Sequence, residues 1–294
     1  MEKNTEQEQK FKNVILVPTD FSEVCDNAIH HGAEMAVSLK FKLCLVHIIN
    51  KETKAFMKKE NLENEHIKDR LEQISENVKK EYNIEVESIT REGSIFITIE
   101  EISTEIGANL IILGTHGKVG FQHIMGSFAL KVVSSSHVPV IVVQKRTFGH
   151  GYKNIIFPVS NDFEARQKVQ WATLIAKIFD SKVHIFRIHE SNFSLDSRLK
   201  IITNQIMQEF DNKKVSYELI ISEKGGNFSK QVIDYAVENE ADLIAAVTKR
   251  DQFLPEYSFE PWSEKMMFNS AQIPVMCINP VELGNYYYEW FTLY

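Results

Sequence analysis

Several short segments from the first half of this chain return in the same order in the second half, and this repeat limits the possible folds more than any other feature. Asn13-Val-Ile-Leu-Val-Pro18 is echoed by Lys153-Asn-Ile-Ile-Phe-Pro158, and Leu45-Val-His-Ile48 by Ile185-Phe-Arg-Ile188. Ile106-Gly-Ala-Asn-Leu-Ile-Ile112 matches Glu240-Ala-Asp-Leu-Ile244, and His137-Val-Pro-Val-Ile141 matches Gln272-Ile-Pro-Val-Met276. The offset drifts from about 140 to about 133 residues, as small loop insertions and deletions would produce. The chain therefore reads as two related units, joined near Gly149-His-Gly151.

Within each unit, short apolar runs alternate with helix-period segments. Val14 to Val17, Leu43 to Ile49, Leu110 to Leu113 and Val140 to Val143 are β-rich runs, and Ile84-Glu-Val-Glu87 alternates. Between the first two lies a segment with Ile29, Ala33, Ala36 and Leu39 at helical spacing. Continuous apolar strands separated by amphipathic helices predict a parallel sheet covered on both faces. Right-handed crossovers then make each unit a doubly wound α/β domain.

A chain of 294 residues, 44% hydrophobic and 25% charged, can bury two cores of about 140 residues each. Its net charge of −7 speaks against nucleic acid as a partner, since phosphate neutralisation needs a basic face. Basic residues alternate with acids, as in Lys58-Lys-Glu60, the pattern of solvated helix faces. No apolar run approaches the roughly 18 residues of a membrane span, and the expectation is a cytoplasmic protein without a membrane partner. Cys25, Cys44 and Cys277 lack metal-ligand spacing, and the last two sit in apolar runs as small core residues. His30 and His31, adjacent on a predicted helix, point in different directions and make a poor ligand pair. His47, at a strand end, is expected to pack or hydrogen-bond there.

One stretch carries chemistry. After the run ending at Leu113 come Gly114, Gly117, Gly120, Gly126 and Ser127, followed at once by a helix-like segment from Phe128 to Ser135. A strand, a glycine-rich loop and a helix start form an anion-holding device, because glycines admit phosphate close to the backbone and the helix start offers unpaired N–H groups. Ser127 could cap that helix or donate to a phosphate oxygen. The same glycines could serve only as tight turns. Asp20, just beyond the first strand, lies beside the expected crevice and could accept from a ribose or base, or could cap the next helix, a role open to Ser22 as well.

Val14-Ile-Leu-Val-Pro-Thr-Asp-Phe-Ser-Glu23, Leu45-Val-His-Ile48, Arg91-Glu-Gly93, Gly114-Thr-His-Gly117 and Gly126-Ser127 together resemble the universal stress protein family. The resemblance extends over nearly the whole chain as a tandem member and is strongest in the first half. It implies a five-stranded parallel sheet of order 3-2-1-4-5 in each half, with the halves packed as a pseudo-dimer. It also implies an ATP site of the family's G-x2-G-x9-G-(S/T) type. Asp20 and the backbone of Ile48 would then meet the adenosine, while Gly114, Gly117, Gly126, Ser127 and the backbone of Phe128 would meet the ribose and phosphates. The present chain has eight residues, not nine, between Gly117 and Gly126. The implied cofactor is ATP, with Mg, in the first half only.

The second half departs from that pattern, with Pro158-Val-Ser160 and Val247-Thr-Lys-Arg250 at the matching places. Side chains from the aromatic and proline-rich segment 251–262 are expected to plug its site, although Lys249 and Arg250 could still attract an anion. The expected units are a polar tail (1–12), a nucleotide-site domain (13–148), a degenerate domain (152–281) and an aromatic tail (282–294). The tail residues Tyr286 to Phe291 are expected to pack on their own domain or on a second subunit. The function expected is a stress-response binding and regulatory protein, self-associating through the pseudo-dimer or as a homodimer and acting on an unknown protein partner. The alternatives are a nucleotide-independent scaffold and a slow ATP hydrolase or nucleotidyl transferase. No nucleophile-and-base pair or acid-rich metal cluster speaks for the enzyme.

Overall fold

A computed structural model describes residues 12–116, 123–160, 168–250, 257–258 and 265–279, with only the backbone of 123–127, 249–250 and 257–258. In the first half the elements are β1 (Val14–Pro18), α1 (Glu23–Leu39), β2 (Lys42–Ile49), α2 (Lys51–Glu60), α3 (Asn64–Tyr82), β3 (Val86–Glu92), α4 (Ile95–Ile106), β4 (Ala108–Gly114), α5 (His123–Ser135) and β5 (Val140–Val143). In the second half come β6 (Asn154–Val159), α6 (Val169–Phe179), β7 (Lys182–Arg187), α7 (Phe193–Lys213), β8 (Ser216–Ile221), α8 (Phe228–Glu238) and β9 (Leu243–Val247). These are followed by the short β10 (Lys249–Arg250) and β11 (Tyr257–Ser258), and finally β12 (Val275–Ile278).

The apolar runs become strands because both faces of the sheet are covered, so every residue of β1, β5, β9 and β12 is buried. The order is β3-β2-β1-β4-β5-β12-β9-β6-β7-β8, which is 3-2-1-4-5 read inward from each edge. Within this sheet, all pairs inside a half are parallel, while β10 and β11 form a separate antiparallel pair. The halves meet where β12 runs antiparallel to β5, Val275 opposite Val142 and Cys277 opposite Val140. The expected pseudo-dimer is thus one continuous ten-stranded sheet. One edge strand differs from expectation: β3 spans 86–92, shifted toward the polar residues Ser88, Thr90 and Arg91. An edge strand is half exposed and needs no apolar run, and its rim is charged by Arg91–Glu105 (2.7 Å) and Lys54–Glu92 (2.5 Å) pairs.

On one face of the sheet, α1 packs closely on the strands. A Cβ on Gly32 would come within 2.6 Å of Val17 and 3.0 Å of Leu43, so the helix can sit this low only with glycine there. At the junction of the halves, Phe148, Tyr152 and Phe179 meet edge to face, with centroids 5.0–5.7 Å apart, and Phe148 also meets His31 at 5.3 Å. The two adjacent histidines diverge as expected: His30 reaches Tyr82 on the surface, and His31 is fully buried against the carbonyl of Arg146 at 2.8 Å.

Burial draws the His31 imidazole down to about 4, against the hydrogen bond to Arg146, which raises it. Between pH 6.5 and this value the unfolded chain takes up a proton that the folded chain refuses. His31 therefore leaves stability whole above about pH 6.5 and subtracts up to about 3 kcal/mol as pH falls toward 4. Urea midpoints at pH 7.5 and pH 5 should differ less in His31→Gln than in the parent. An equal pH dependence in the two would remove His31 as its source.

Candidate functional site

The sheet opens where β1 and β4 part. Their pairing ends at Leu16↔Ile111, and beyond it the carboxyl ends of both strands face a crevice, the place where doubly wound sheets take ligands. Gly114 closes the floor of this crevice. A Cβ there would meet the Val24 carbonyl oxygen at 2.6 Å and the Cys25 Cα at 3.1 Å, so the end of β4 touches the backbone of the first turn of α1.

The turn between β1 and α1 is held from several sides. Phe21 adopts a left-handed backbone (φ 65°), donating its N–H to Thr19 Oγ1 at 3.0 Å. The Phe21 ring stacks on His47 (4.5 Å, 16° between planes), and the Arg70 guanidinium lies over the same ring at 4.3 Å. His47 Nδ1 donates to the Thr19 carbonyl at 2.8 Å; since a carbonyl only accepts, the proton is on Nδ1. Burial lowers the His47 pKa, opposed by that hydrogen bond and by the Asp20 charge. His47 thus hydrogen-bonds at its strand end, as the sequence suggests.

Asp20 stands at the mouth of the crevice, with an exposed surface. Its Oδ1 accepts from the Ser22 N–H at 2.9 Å. Burial against the turn would raise its pKa, but hydrogen bonds from Ser22 and Cys25 outweigh this, with help from nearby His116, and keep the carboxyl below its usual range. It is an anionic acceptor at neutral pH. Ser22 is the N-cap residue of α1 but makes no side-chain cap bond, and Asp20 braces the turn from outside the helix. Burial, with the Asp20 charge, pushes the Cys25 thiol up to about 12, which leaves no thiolate to act as a nucleophile. Ile48 is buried at the end of β2, its carbonyl 3.4 Å from Thr53 Oγ1.

The glycine-loop expectation needs correcting at one point. Gly117 lies outside the described residues, but α5 begins at His123, five residues earlier than the segment from Phe128. Gly126, Ser127 and Phe128 are therefore inside the helix, and Ser127 is not its N-cap. The apolar period already starts at Ile124 and Met125, so the helix extends backward over the glycine. The amides left unpaired by a helix starting there belong to its first residues, near His123 to Met125.

The second half fills its matching split with a side chain that sequence reasoning missed. β6 and β9 pair only at Ile155↔Leu243 and Ile156↔Ile244. Beyond that point, the fully buried Lys168 donates its ammonium to the Pro158 carbonyl and, at 3.2 Å, to the Ala245 carbonyl, with the Phe157 ring 4.5 Å beneath. Among the described residues, it is Lys168 that bridges the two strands. Of the segment 251–262 expected to supply a plug, only Tyr257–Ser258 is described, as β11 beside β10. The side chains of Lys249 and Arg250, the tail Tyr286 to Phe291 and residues 1–11 also lie outside the description. Among the described residues, no three His, Cys, Asp or Glu side chains gather as a metal site, and no helix is long and apolar enough to cross a membrane.

These features define a class: a doubly wound α/β protein built twice over, with Asp20 and Gly114 at the strand parting of one half and Lys168 bridging that of the other. A profile of the universal stress protein family matches residues 12–144. A universal stress protein of Methanocaldococcus jannaschii is 32% identical over 154 residues, covering 45% of this chain and 94% of the relative. A second one from the same organism is 29% identical over 138 residues, covering 45% and 81%. Among solved structures, a universal stress protein from Archaeoglobus fulgidus superposes with a TM-score of 0.70 at 17% identity, over 92% of this chain and 99% of that one. That last likeness speaks for the fold, and for both halves of it. The chain belongs to the universal stress protein family.

Proposed function

We propose that the first-half crevice binds an adenine nucleotide, ATP with its magnesium, and that the protein is a nucleotide-responsive regulatory module. The division into units 13–148 and 152–281, on either side of 149–151, belongs to the same reading. The observation that carries it is the convergence at the parting of β1 and β4: an ionised Asp20, the close approach of Gly114 to α1, and the carboxyl ends of both strands. An acceptor suited to ribose or base stands on one side. On the other, the chain from β4 leads into α5, whose first amides suit phosphate. Family membership supports the same reading.

Magnesium would enter with the nucleotide phosphates, since it keeps most of its waters and is commonly held by phosphates and few protein oxygens. In the second half, Lys168 occupies the corresponding split, and that half serves as packing partner. The scaffold alternative draws on the helical placement of Gly126 and Ser127, which leaves those two residues away from the unpaired amides.

Calorimetric titration of nucleotide-stripped protein with Mg-ATP decides between these readings. About one equivalent should bind, and Gly126→Val should weaken binding at least about tenfold. Absence of heat in the parent would favour the scaffold. Unchanged affinity in a folded Gly126→Val, Ser127→Ala chain would remove the glycine segment from the site.

A further inference from the structure

The two halves grip each other's last helix through a matched pair of buried amides. Gln144 directly follows β5, and Asn279 directly follows β12. Asn279 Nδ2 donates to the carbonyls of Val133 (2.6 Å), Ser134 (3.4 Å) and Ser136 (2.6 Å), at the carboxyl end of α5 in the opposite half. Gln144 Nε2 donates to the Asn269 carbonyl at 3.2 Å, just beyond the helical residues 265–267 of the other half. Because β12 runs antiparallel to β5, the carboxyl end of one half's sheet lies beside the amino end of the other's, where the last helix finishes.

The Asn279 arm is the more elaborate. Its carbonyl oxygen accepts the Thr248 hydroxyl, and since the three backbone oxygens on its other side can only accept, the amide has one possible orientation. Thr248 is the residue immediately after β9, as Thr115 is after β4, so it belongs to the filled crevice of the second half. Asn279 and Thr248 are both buried. The last carbonyls of a helix have no partners of their own, and donors placed there fix the helix axially.

We infer that Asn279 is a positioning residue for the first-half crevice: through it, the second half sets the placement of α5 and hence of the amides that α5 presents at its other end. The inference rests on the nucleotide reading given above. A 13-residue helix is about 20 Å long and moves as a rigid body, so loss of its distal anchor is felt at its start. The Gln144 side chain is anchored to the second half's helix rather than to α5. The second half is thereby a working part of a site whose ligand it does not touch.

The full-length chain tests this with Asn279→Ala, Asn279→Asp and Gln144→Ala, each followed by calorimetry with Mg-ATP and by hydrogen exchange along α5. Asn279→Ala should remain folded, lose about tenfold in affinity and exchange faster at the hydrogen-bonded amides that follow the first turn of α5. Asn279→Asp, which sets oxygens against the helix carbonyls, should do so more strongly. Gln144→Ala, whose side chain does not bond α5, should leave α5 exchange unchanged. Parental affinity in Asn279→Ala, or equally faster α5 exchange in Gln144→Ala, would overturn the inference. If the parent binds no Mg-ATP, the nucleotide reading fails by itself. The exchange comparison then still decides the positioning role: faster exchange at the hydrogen-bonded amides that follow the first turn of α5 in Asn279→Ala alone supports it, and equal exchange in both variants overturns it.

Discussion

A Gly114→Val chain is expected to lose at least the ~1–3 kcal/mol typical of an overpacked core, and to lose Mg-ATP binding with it. The obstacle is backbone, not a side chain that could rotate away. The added Cβ would stand 2.6 Å from the Val24 carbonyl oxygen and 2.9 Å from its carbon, both in the first turn of α1. Relief requires α1 to lift from β4 or β4 to bend, and either movement displaces the turn that carries Asp20 and Phe21. Phe21 is already held in a left-handed conformation by stacking on His47, so the turn has little slack. Urea unfolding and calorimetry on one preparation check both effects. A parental midpoint together with parental affinity would mean that this close approach constrains nothing.

Phe179→Ala is expected to cost about 3–5 kcal/mol, the range for emptying a large aromatic site. The ring lies at the end of α6 against Phe148 and Tyr152, in the segment that joins the halves, and it also meets the space beside Gly151. Residues of both halves share one continuous cluster on this face of the sheet, from Ile15 and Leu43 to Ile185 and Phe210. The damage should therefore not stay in the second half. Far-ultraviolet circular dichroism and tryptophan fluorescence, whose sources Trp171, Trp262 and Trp290 all follow the junction, should show one coincident and earlier transition. Two separated transitions would mean that the halves unfold independently in spite of the shared sheet.

The centre of the fold was legible in the sequence because its strands are buried on both faces and leave continuous apolar runs. β1, β4, β5, β9 and β12 are of this kind. β3 was read two residues early because an edge strand may carry Ser88, Thr90 and Arg91 without breaking any pattern. The start of α5 was misplaced because Gly126 looks like a boundary by composition, while neighbouring Ile124 and Met125 continue the helical period. Lys168 escaped notice for a different reason. A lysine beside an amphipathic helix ordinarily projects into water, and only the parting of β6 and β9 supplies carbonyls that an ammonium can bridge. Gln144 and Asn279 did leave a signal: in both halves an amide side chain follows the last apolar run, after Val143 and after Ile278. The pair lies three positions beyond the Ile141 and Met276 ends of the last repeated segment.

The antiparallel seam between β5 and β12 also bears on how such a protein behaves on dilution. Two separate chains joined along this edge would part at low concentration, each dissociation uncovering a strand able to pair elsewhere. Here the partner edge is tethered, so the seam forms at a fixed effective concentration whatever the abundance of the protein.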